Sequence, residues 1–133
     1  MIRAVLRWVL AAFYAVAGYF HIAAPEGFLT IMPGWVPMAE AVVFWTGIAE
    51  LLGAAGLVQP FNLRLRQAAG IGLALYALCV WPANIQHMLL YLDGTLDGPG
   101  MAYHAPRMVL QPILIWLALW TGGVTNWPFR RRA

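Results

Sequence analysis

The feature that most constrains the fold is a series of four long apolar stretches in a chain of only 133 residues. A helix needs about 20 mostly apolar residues to cross the hydrocarbon core of a membrane. Stretches of this length predict four membrane-spanning helices, over residues 4–23, 38–58, 66–92 and 107–124. Only 10% of the residues are charged, whereas soluble domains carry about 25%. The sequence therefore predicts an all-α integral membrane four-helix bundle, a single domain over residues 1–133, and argues against a soluble protein or one that binds nucleic acid.

The arginines predict how the helices are oriented in the membrane. Seven of the eight lie on one side of the predicted bundle, namely Arg3, Arg7, Arg64, Arg66, Arg130, Arg131 and Arg132. The other side holds Arg107 together with the acidic residues Glu26, Glu40, Asp93 and Asp97. Loops rich in arginine stay on the cytoplasmic side of a membrane. Both termini are therefore expected in the cytoplasm, and the segments over residues 25–37 and 93–104 are expected to face outward.

Glu50 is the most unusual residue of the second span, because an ionisable group at the centre of a membrane costs about 2.5–3.5 kcal/mol. Its neighbours one helical turn away are Thr46, Gly47, Gly53 and Ala54. Such small residues suit close contact between helices, so we expect Glu50 to face the bundle. Two interpretations stay open: a protonated carboxyl that hydrogen-bonds a neighbouring helix, or a carboxyl that carries protons or binds a ligand.

Tyr14 and His21 are the polar aromatic pair of the first span, and they share a face because two helical turns separate them. Tyr14 is predicted near the depth of Glu50, and a hydrogen bond between Tyr14 and Glu50 is our hypothesis. His21 is predicted nearer the outer boundary, either as a structural hydrogen-bond donor or as a ligand-binding group.

The outer third of the bundle is predicted to hold a second set of polar side chains. Asn84 and His87 share one face of the third span, in which Pro82 is expected to produce a kink. Asn84 is interpreted as a clamp for unpaired backbone groups or as a pocket residue. Arg107, followed by Gln111, either extends to the lipid headgroups or faces inward to bind a carboxylate or an anionic ligand. These residues predict a polar pocket. His21, Glu50 and His87 are conceivable metal ligands, but they form no close motif such as Glu-x-x-His, so no metal site is predicted.

The order of five short motifs resembles that of the DoxX family of small bacterial membrane proteins. The motifs are Gly18-Tyr19-Phe20-His21, Pro33-Gly34-Trp35-Val36-Pro37, Gly47-x-x-Glu50-Leu51-Leu52-Gly53, Trp81-Pro82-Ala83-Asn84-Ile85, and Arg107-Met108-Val109-Leu110-Gln111 leading to Ile115-Trp116. The resemblance implies a four-helix fold in the bacterial cytoplasmic (inner) membrane. It also marks His21, Glu50, Pro82, Asn84, Arg107 and Gln111 as family-pattern positions. Some DoxX relatives are associated with thiosulfate:quinone oxidoreduction and others with redox-stress complexes.

Two main hypotheses for the function follow. The first is a redox-associated membrane subunit whose pocket binds a quinone-like or other small lipophilic ligand. Glu50 and His21 would handle protons there, and Arg107 or Asn84 would hold a carbonyl. The second is a non-enzymatic accessory or assembly protein that docks a partner through its helices and outer loop, and a small transporter ranks third. The sequence does not decide whether the protein is an enzyme. It identifies no catalytic residue and no cofactor motif. A quinone is the candidate cofactor, and the expected partners are the bilayer and a protein subunit or second copy.

Overall fold

Five helices form the regular secondary structure of a computed structural model that describes residues 1–98 and 100–129. They are α1 (Ile2–Ala23), α2 (Glu26–Thr30), α3 (Ala39–Val58), α4 (Leu63–Leu92) and α5 (Met101–Gly122). The described residues contain no strand. The all-α prediction is therefore confirmed, and Arg130, Arg131 and Arg132 lie outside the described residues.

The predicted start of the third span was three residues late. Asn62 lies in an extended conformation just before α4, and its Oδ1 accepts a hydrogen bond from the backbone N–H of Leu65 (3.1 Å). An asparagine in this position satisfies a backbone donor that the first helical turn leaves free. The helix therefore begins at Leu63 and not at Arg66.

The start predicted for the last span, Arg107, was six residues late. The helix begins at Met101, after Gly100 with φ of 83°, and continues through Pro106. The sequence-based prediction placed residues up to His104 in the outward-facing segment before the last span. In the structure His104 points inward and is fully buried. This polar residue therefore belongs to the face of the helix that packs against the bundle. The helix ends at Gly122, before Gly123 with φ of 90°, and not at residue 124.

The bundle consists of two closely packed helix pairs, α1 with α3 and α4 with α5, which meet mainly through α3 and α4. Glycine permits the closest approach within each pair. A Cβ on Gly18 would lie 2.7 Å from the carbonyl oxygen of Gly47, and a Cβ on Gly70 would lie 2.7 Å from that of Ala118. Real Cβ atoms do not approach backbone this closely, so these glycines set how near the helices can pack.

The end of the bundle that carries Arg3 and Arg7 is tied together by hydrogen bonds. Arg3 Nη1 donates to Asn126 Oδ1 (2.9 Å), and Arg7 Nε donates to the Thr121 carbonyl (3.0 Å). Gln67 Nε2 donates to the Gly123 carbonyl (3.0 Å). The starts of α1 and α4 therefore meet the end of α5 here. Next to this arginine end lies the apolar core, made of Leu10, Ala11, Tyr14, Ala54, Leu57, Leu73, Ala74 and Ala118.

The opposite end carries acidic groups. Glu26 lies in the first turn of α2, Glu40 lies in the first turn of α3, and Asp93 follows α4. The backbone N–H of Thr95 donates to Asp93 Oδ1 (2.9 Å). Hydrogen bonding from Thr95 lowers the pKa of the Asp93 carboxyl below its usual value. The two ends of the bundle therefore differ in charge as the sequence predicts.

Among the described residues, three helices are long and apolar enough to cross a membrane, namely α1, α3 and α4. The fourth long helix, α5, does not belong to this set, although it has 22 residues. Its polar residues His104, Arg107 and Gln111 lower its hydropathy. Because these three side chains turn toward α4 or the cavities described below, the polarity of α5 lies inside the bundle.

Candidate functional site

Two connected cavities lie between the helices, toward the end that carries the acidic groups. The apolar lobe has a volume of about 530 Å³ and lies under the segment over residues 28–36. The polar lobe has a volume of about 420 Å³ and lies between α1, α3, α4 and α5. Six residues line both lobes and form the boundary between them: His21, Phe28, Tyr76, Val80, Asn84 and Arg107.

An ion pair between His21 on α1 and Glu50 on α3 forms one wall of the polar lobe. His21 Nδ1 lies 2.8 Å from Glu50 Oε2, and the carboxylate is only 2% exposed. Nδ1 also lies 2.9 Å from the carbonyl oxygen of Ala17. A carbonyl can only accept, so Nδ1 carries a proton. An imidazole protonated at Nε2 as well would balance the charge of a carboxylate that is otherwise expensive to bury, although Glu50 Oε2 accepts no hydrogen bond within the described residues.

The partner of Glu50 differs from the one that we expected. The Tyr14 hydroxyl is buried and has no hydrogen-bond partner among the described residues, so the predicted Tyr14–Glu50 hydrogen bond does not form. Tyr14 instead packs edge-on against Tyr76, with 6.1 Å between ring centroids. Both tyrosines line the polar lobe together with Glu50. The three polar groups thus share a cavity, while His21 takes the direct contact.

Phe28 on α2 covers the imidazole of His21. Their rings are stacked, with 3.7 Å between centroids and 23° between planes. The chain beyond α2 adds Ile31, Met32, Pro33, Trp35 and Val36 to the wall of the apolar lobe. The segment over residues 25–37, which the sequence places on the outer side, therefore also forms part of a cavity wall. Nothing in the sequence indicated that Phe28 would contact His21.

Arg107 on α5 faces inward and lines both lobes. Its Nη1 lies 3.0 Å from His87 Nδ1, and its Nη2 donates to Asn84 Oδ1. Its guanidinium also lies over the ring of Tyr103, 4.8 Å from the centroid. Arg107 thus faces inward, as the second interpretation requires, while its binding of a carboxylate or an anionic ligand stays a prediction.

Gln111 connects this arginine network to the backbone of α4. Its Oε1 accepts a hydrogen bond from Asn84 Nδ2 (3.3 Å), and its Nε2 donates to the Ala77 carbonyl (2.5 Å). The backbone clamp proposed for Asn84 is therefore supplied by Gln111 instead. Asn84 instead hydrogen-bonds the side chains of Arg107 and Gln111 on α5.

The structure brings most of the predicted site residues to one cavity system. Six of them line a lobe, namely Tyr14, His21, Glu50, Asn84, Arg107 and Gln111. His87 does not line a lobe and acts on the site through Arg107. Tyr76 and Phe28 were missing from the predicted set. Within residues 1–98 and 100–129, no three His, Cys, Asp or Glu side chains are grouped to hold a metal ion.

His104 is a buried group that the predicted site did not include. Its ring lies 4.7 Å from that of His87 and 5.1 Å from that of Tyr91, measured between centroids. Neither ring nitrogen has a hydrogen-bond partner in the part of the chain that the structure describes. His104 therefore supports the arginine network by ring packing.

Comparison with known proteins identifies a family but no characterised relative. A family model described as a domain of unknown function (DUF8561) matches residues 10–122. No curated protein and no solved structure matches the chain significantly. The resemblance to the DoxX family is therefore wrong, because the matching family is a different one. The motifs behind it consist largely of glycine, proline and aromatic residues, which helix packing and membrane interfaces require in many proteins.

Proposed function

The chain belongs to the DUF8561 family, and we propose that it binds a small lipophilic molecule inside a four-helix membrane bundle. The observation that carries this proposal is the two-lobed cavity, in which an apolar lobe of about 530 Å³ adjoins a polar one. Ligand pockets typically have volumes of about 300–1,000 Å³ and combine apolar walls with a few convergent polar groups. A lipophilic body would fill the apolar lobe and a polar head would reach the boundary.

The polar groups at the boundary support a ligand head that accepts hydrogen bonds. Arg107 has five N–H donors, and only two of its nitrogens are used by His87 and Asn84. A quinone-like ligand would offer a carbonyl to this arginine and would meet the His21–Glu50 pair as a proton donor and acceptor. In that case the protein is a redox-associated membrane subunit, with the quinone as its cofactor.

We further propose that all four long helices span the bacterial inner membrane, with the arginine end in the cytoplasm. Support comes from Arg3, Arg7 and Gln67, which bond the last turn of α5 and the residues after it at one end. Single cysteines in a Cys79→Ser background test this orientation. Thr95→Cys should react with an impermeant maleimide in intact spheroplasts, and Phe61→Cys should react only after lysis. Labelling of Phe61→Cys from outside would overturn the orientation.

The first experiment is mass spectrometry of protein purified gently from its native membrane. Wild type is compared with Glu50→Gln, which removes the buried charge, and with Glu40→Gln, which makes the same change at an exposed site. Small molecules are extracted with organic solvent and bound proteins are identified in parallel. We expect a lipophile that wild type and Glu40→Gln retain and that Glu50→Gln loses. A bound protein partner with no lipophile in any sample would overturn the proposal and favour the accessory or assembly function.

A further inference from the structure

Arg107 is a cation inside the bundle, and no anion in the described part of the chain pairs with it. Within the described residues, its hydrogen-bond partners are the neutral Asn84 amide and the His87 ring, and no carboxylate lies within ion-pair distance of it. His87 must be neutral, because its Nδ1 accepts a hydrogen bond and arginine can only donate. These polar contacts therefore fix the position of the Arg107 guanidinium but bring no negative charge to it.

The carboxyl group of the polar lobe already has its own partner. Glu50 is 2% exposed, and its ion pair is with His21 on the facing helix. Removing His21 from that contact would leave an unpaired buried carboxylate, which is strongly unfavourable. A His21–Glu50 pair that shares one titrating proton is neutral as a unit, whether the proton is on the imidazole or on the carboxyl, so the cavity walls keep the single positive charge of Arg107.

The apolar lobe begins at Arg107. Beyond this residue its wall offers few groups that could hydrogen-bond a second polar group of a ligand. Its far wall consists of Ile31, Met32, Val42 and Val43. The Thr46 hydroxyl on the same wall is already bonded to the carbonyls of Val42 and Val43 in its own helix. An occupant would therefore be polar at one end only.

We propose that the ligand is a long-chain carboxylate, whose head pairs with Arg107 and whose chain fills the apolar lobe. The planar guanidinium presents parallel N–H groups that match the two oxygens of a carboxylate. One negative charge neutralises the one unbalanced positive charge, whereas a doubly charged phosphate monoester would leave an excess. This inference rests on the proposed lipophile binding and favours an acid over a neutral quinone.

Cys79 provides a direct test, because it is the single cysteine of the chain and lines the apolar lobe. Protein in dodecyl maltoside is alkylated with N-ethylmaleimide at pH 8, and the rate is followed by mass spectrometry. Oleate and oleyl alcohol form the matched pair of probes, since they share one chain and differ in charge. We expect oleate to slow alkylation at a concentration about tenfold or more below that required for the alcohol, since a charge-assisted hydrogen bond stabilises by that amount.

Two variants test whether Arg107 is the group that distinguishes the charged probe from the neutral one. In Arg107→Gln, oleate and oleyl alcohol should protect Cys79 at nearly equal concentrations, because the substitution removes the cation and keeps an amide donor. Arg64→Gln makes the same change of net charge at an exposed position of the arginine end, and it should keep the wild-type preference for oleate. An unchanged preference in Arg107→Gln would overturn the assignment to this residue. If that variant does not fold, the comparison of probes on wild type still decides the charge of the ligand.

The remaining outcomes separate this inference from the proposed function. Equal protection of wild-type Cys79 by oleate and oleyl alcohol would overturn the carboxylate but leave lipophile binding in place. Stronger protection by phosphatidylglycerol than by oleate would overturn the carboxylate in favour of a membrane lipid with the same single charge. If no probe protects Cys79 and native membranes yield no retained lipophile, the proposed function itself is wrong.

Discussion

Gly18 on α1 and Gly47 on α3 face each other across the closest contact of that helix pair. A Cβ added to Gly47 would lie 2.7 Å from the Cβ of His21 and 3.0 Å from the carbonyl oxygen of Gly18. Glu50 lies one turn further along α3, so this contact fixes how the imidazole and the carboxylate meet. The close approach of two backbones therefore positions the polar lobe.

Replacing Gly47 with alanine should destabilise the protein by about 1–3 kcal/mol, because the added methyl group must push the two helices apart. Unfolding by sodium dodecyl sulfate, followed by loss of helical circular dichroism, measures this change. Gly72→Ala is the matched control, since Gly72 is an exposed glycine of α4 with open space around it. Helix propensity alone should make that control more stable by up to about 1 kcal/mol. Equal effects of the two substitutions would contradict the tight contact at Gly47.

The His21–Glu50 pair should show energetic coupling in a double-mutant cycle. His21→Gln and Glu50→Gln each remove one charged partner, and each should destabilise the protein. The double variant should lose less than the sum of the two, by at least about 0.5 kcal/mol, because neither charge is then left unpaired. The same detergent unfolding assay measures all four proteins. Additive effects would mean that the 2.8 Å contact contributes no ion-pair energy.

Asn84→Asp should neutralise Arg107 without removing its hydrogen-bond acceptor. The new carboxylate takes the place of the amide oxygen that Arg107 Nη2 already contacts. A carboxylic acid ligand would then meet no unbalanced cation, so oleate should lose its advantage over oleyl alcohol in the Cys79 alkylation assay. Asn84→Gln, which keeps the amide chemistry, is the control and should retain the preference. Retention of the preference in Asn84→Asp would show that the charge of Arg107 does not select the ligand.

The cap at the start of α4 should contribute about 1 kcal/mol of stability. Asn62→Ala removes the side-chain oxygen that accepts from the Leu65 backbone N–H, and it should lower the free energy of unfolding by that amount. Asn62→Asp keeps an acceptor and adds a negative charge at a helix N-terminus, so it should be close to wild type. Similar losses in both variants would indicate that the cap is not the origin of the effect.

Hydrophobicity and spacing predicted the all-α fold and the inward position of Glu50, but not its partner. Counting residues along each helix placed Tyr14 level with Glu50 and placed His21 higher. That count ignores the direction in which side chains lean. Side chains on a helix lean toward its N-terminus, and α1 and α3 run in opposite directions. Glu50 therefore leans toward the end where α1 stops, while His21 leans back, and the two meet.

The arginine network shows a second limit of prediction from sequence. The shared faces of Asn84 with His87, and of Arg107 with Gln111, were readable from helical periodicity. Which face of α4 meets which face of α5 depends on packing at Gly70, where the Ala118 carbonyl approaches closely. The contact of Phe28 could not be predicted for a different reason. Its position depends on a five-residue helix with no periodic pattern of its own.

The division of the bundle into the pairs α1–α3 and α4–α5 has an evolutionary consequence. The cavity lies between the pairs, whereas elsewhere along the same seam Gly53 and Gly56 of α3 hold the pairs together, since an added Cβ would lie 2.5 Å from Leu73 and 2.7 Å from Ala69 of α4. A change of side-chain size at Val42 or Val80, which line the cavity, therefore alters the cavity without touching these glycine contacts. Members of this family whose proposed ligands differ in length can be expected to differ at such cavity residues and to keep the glycines.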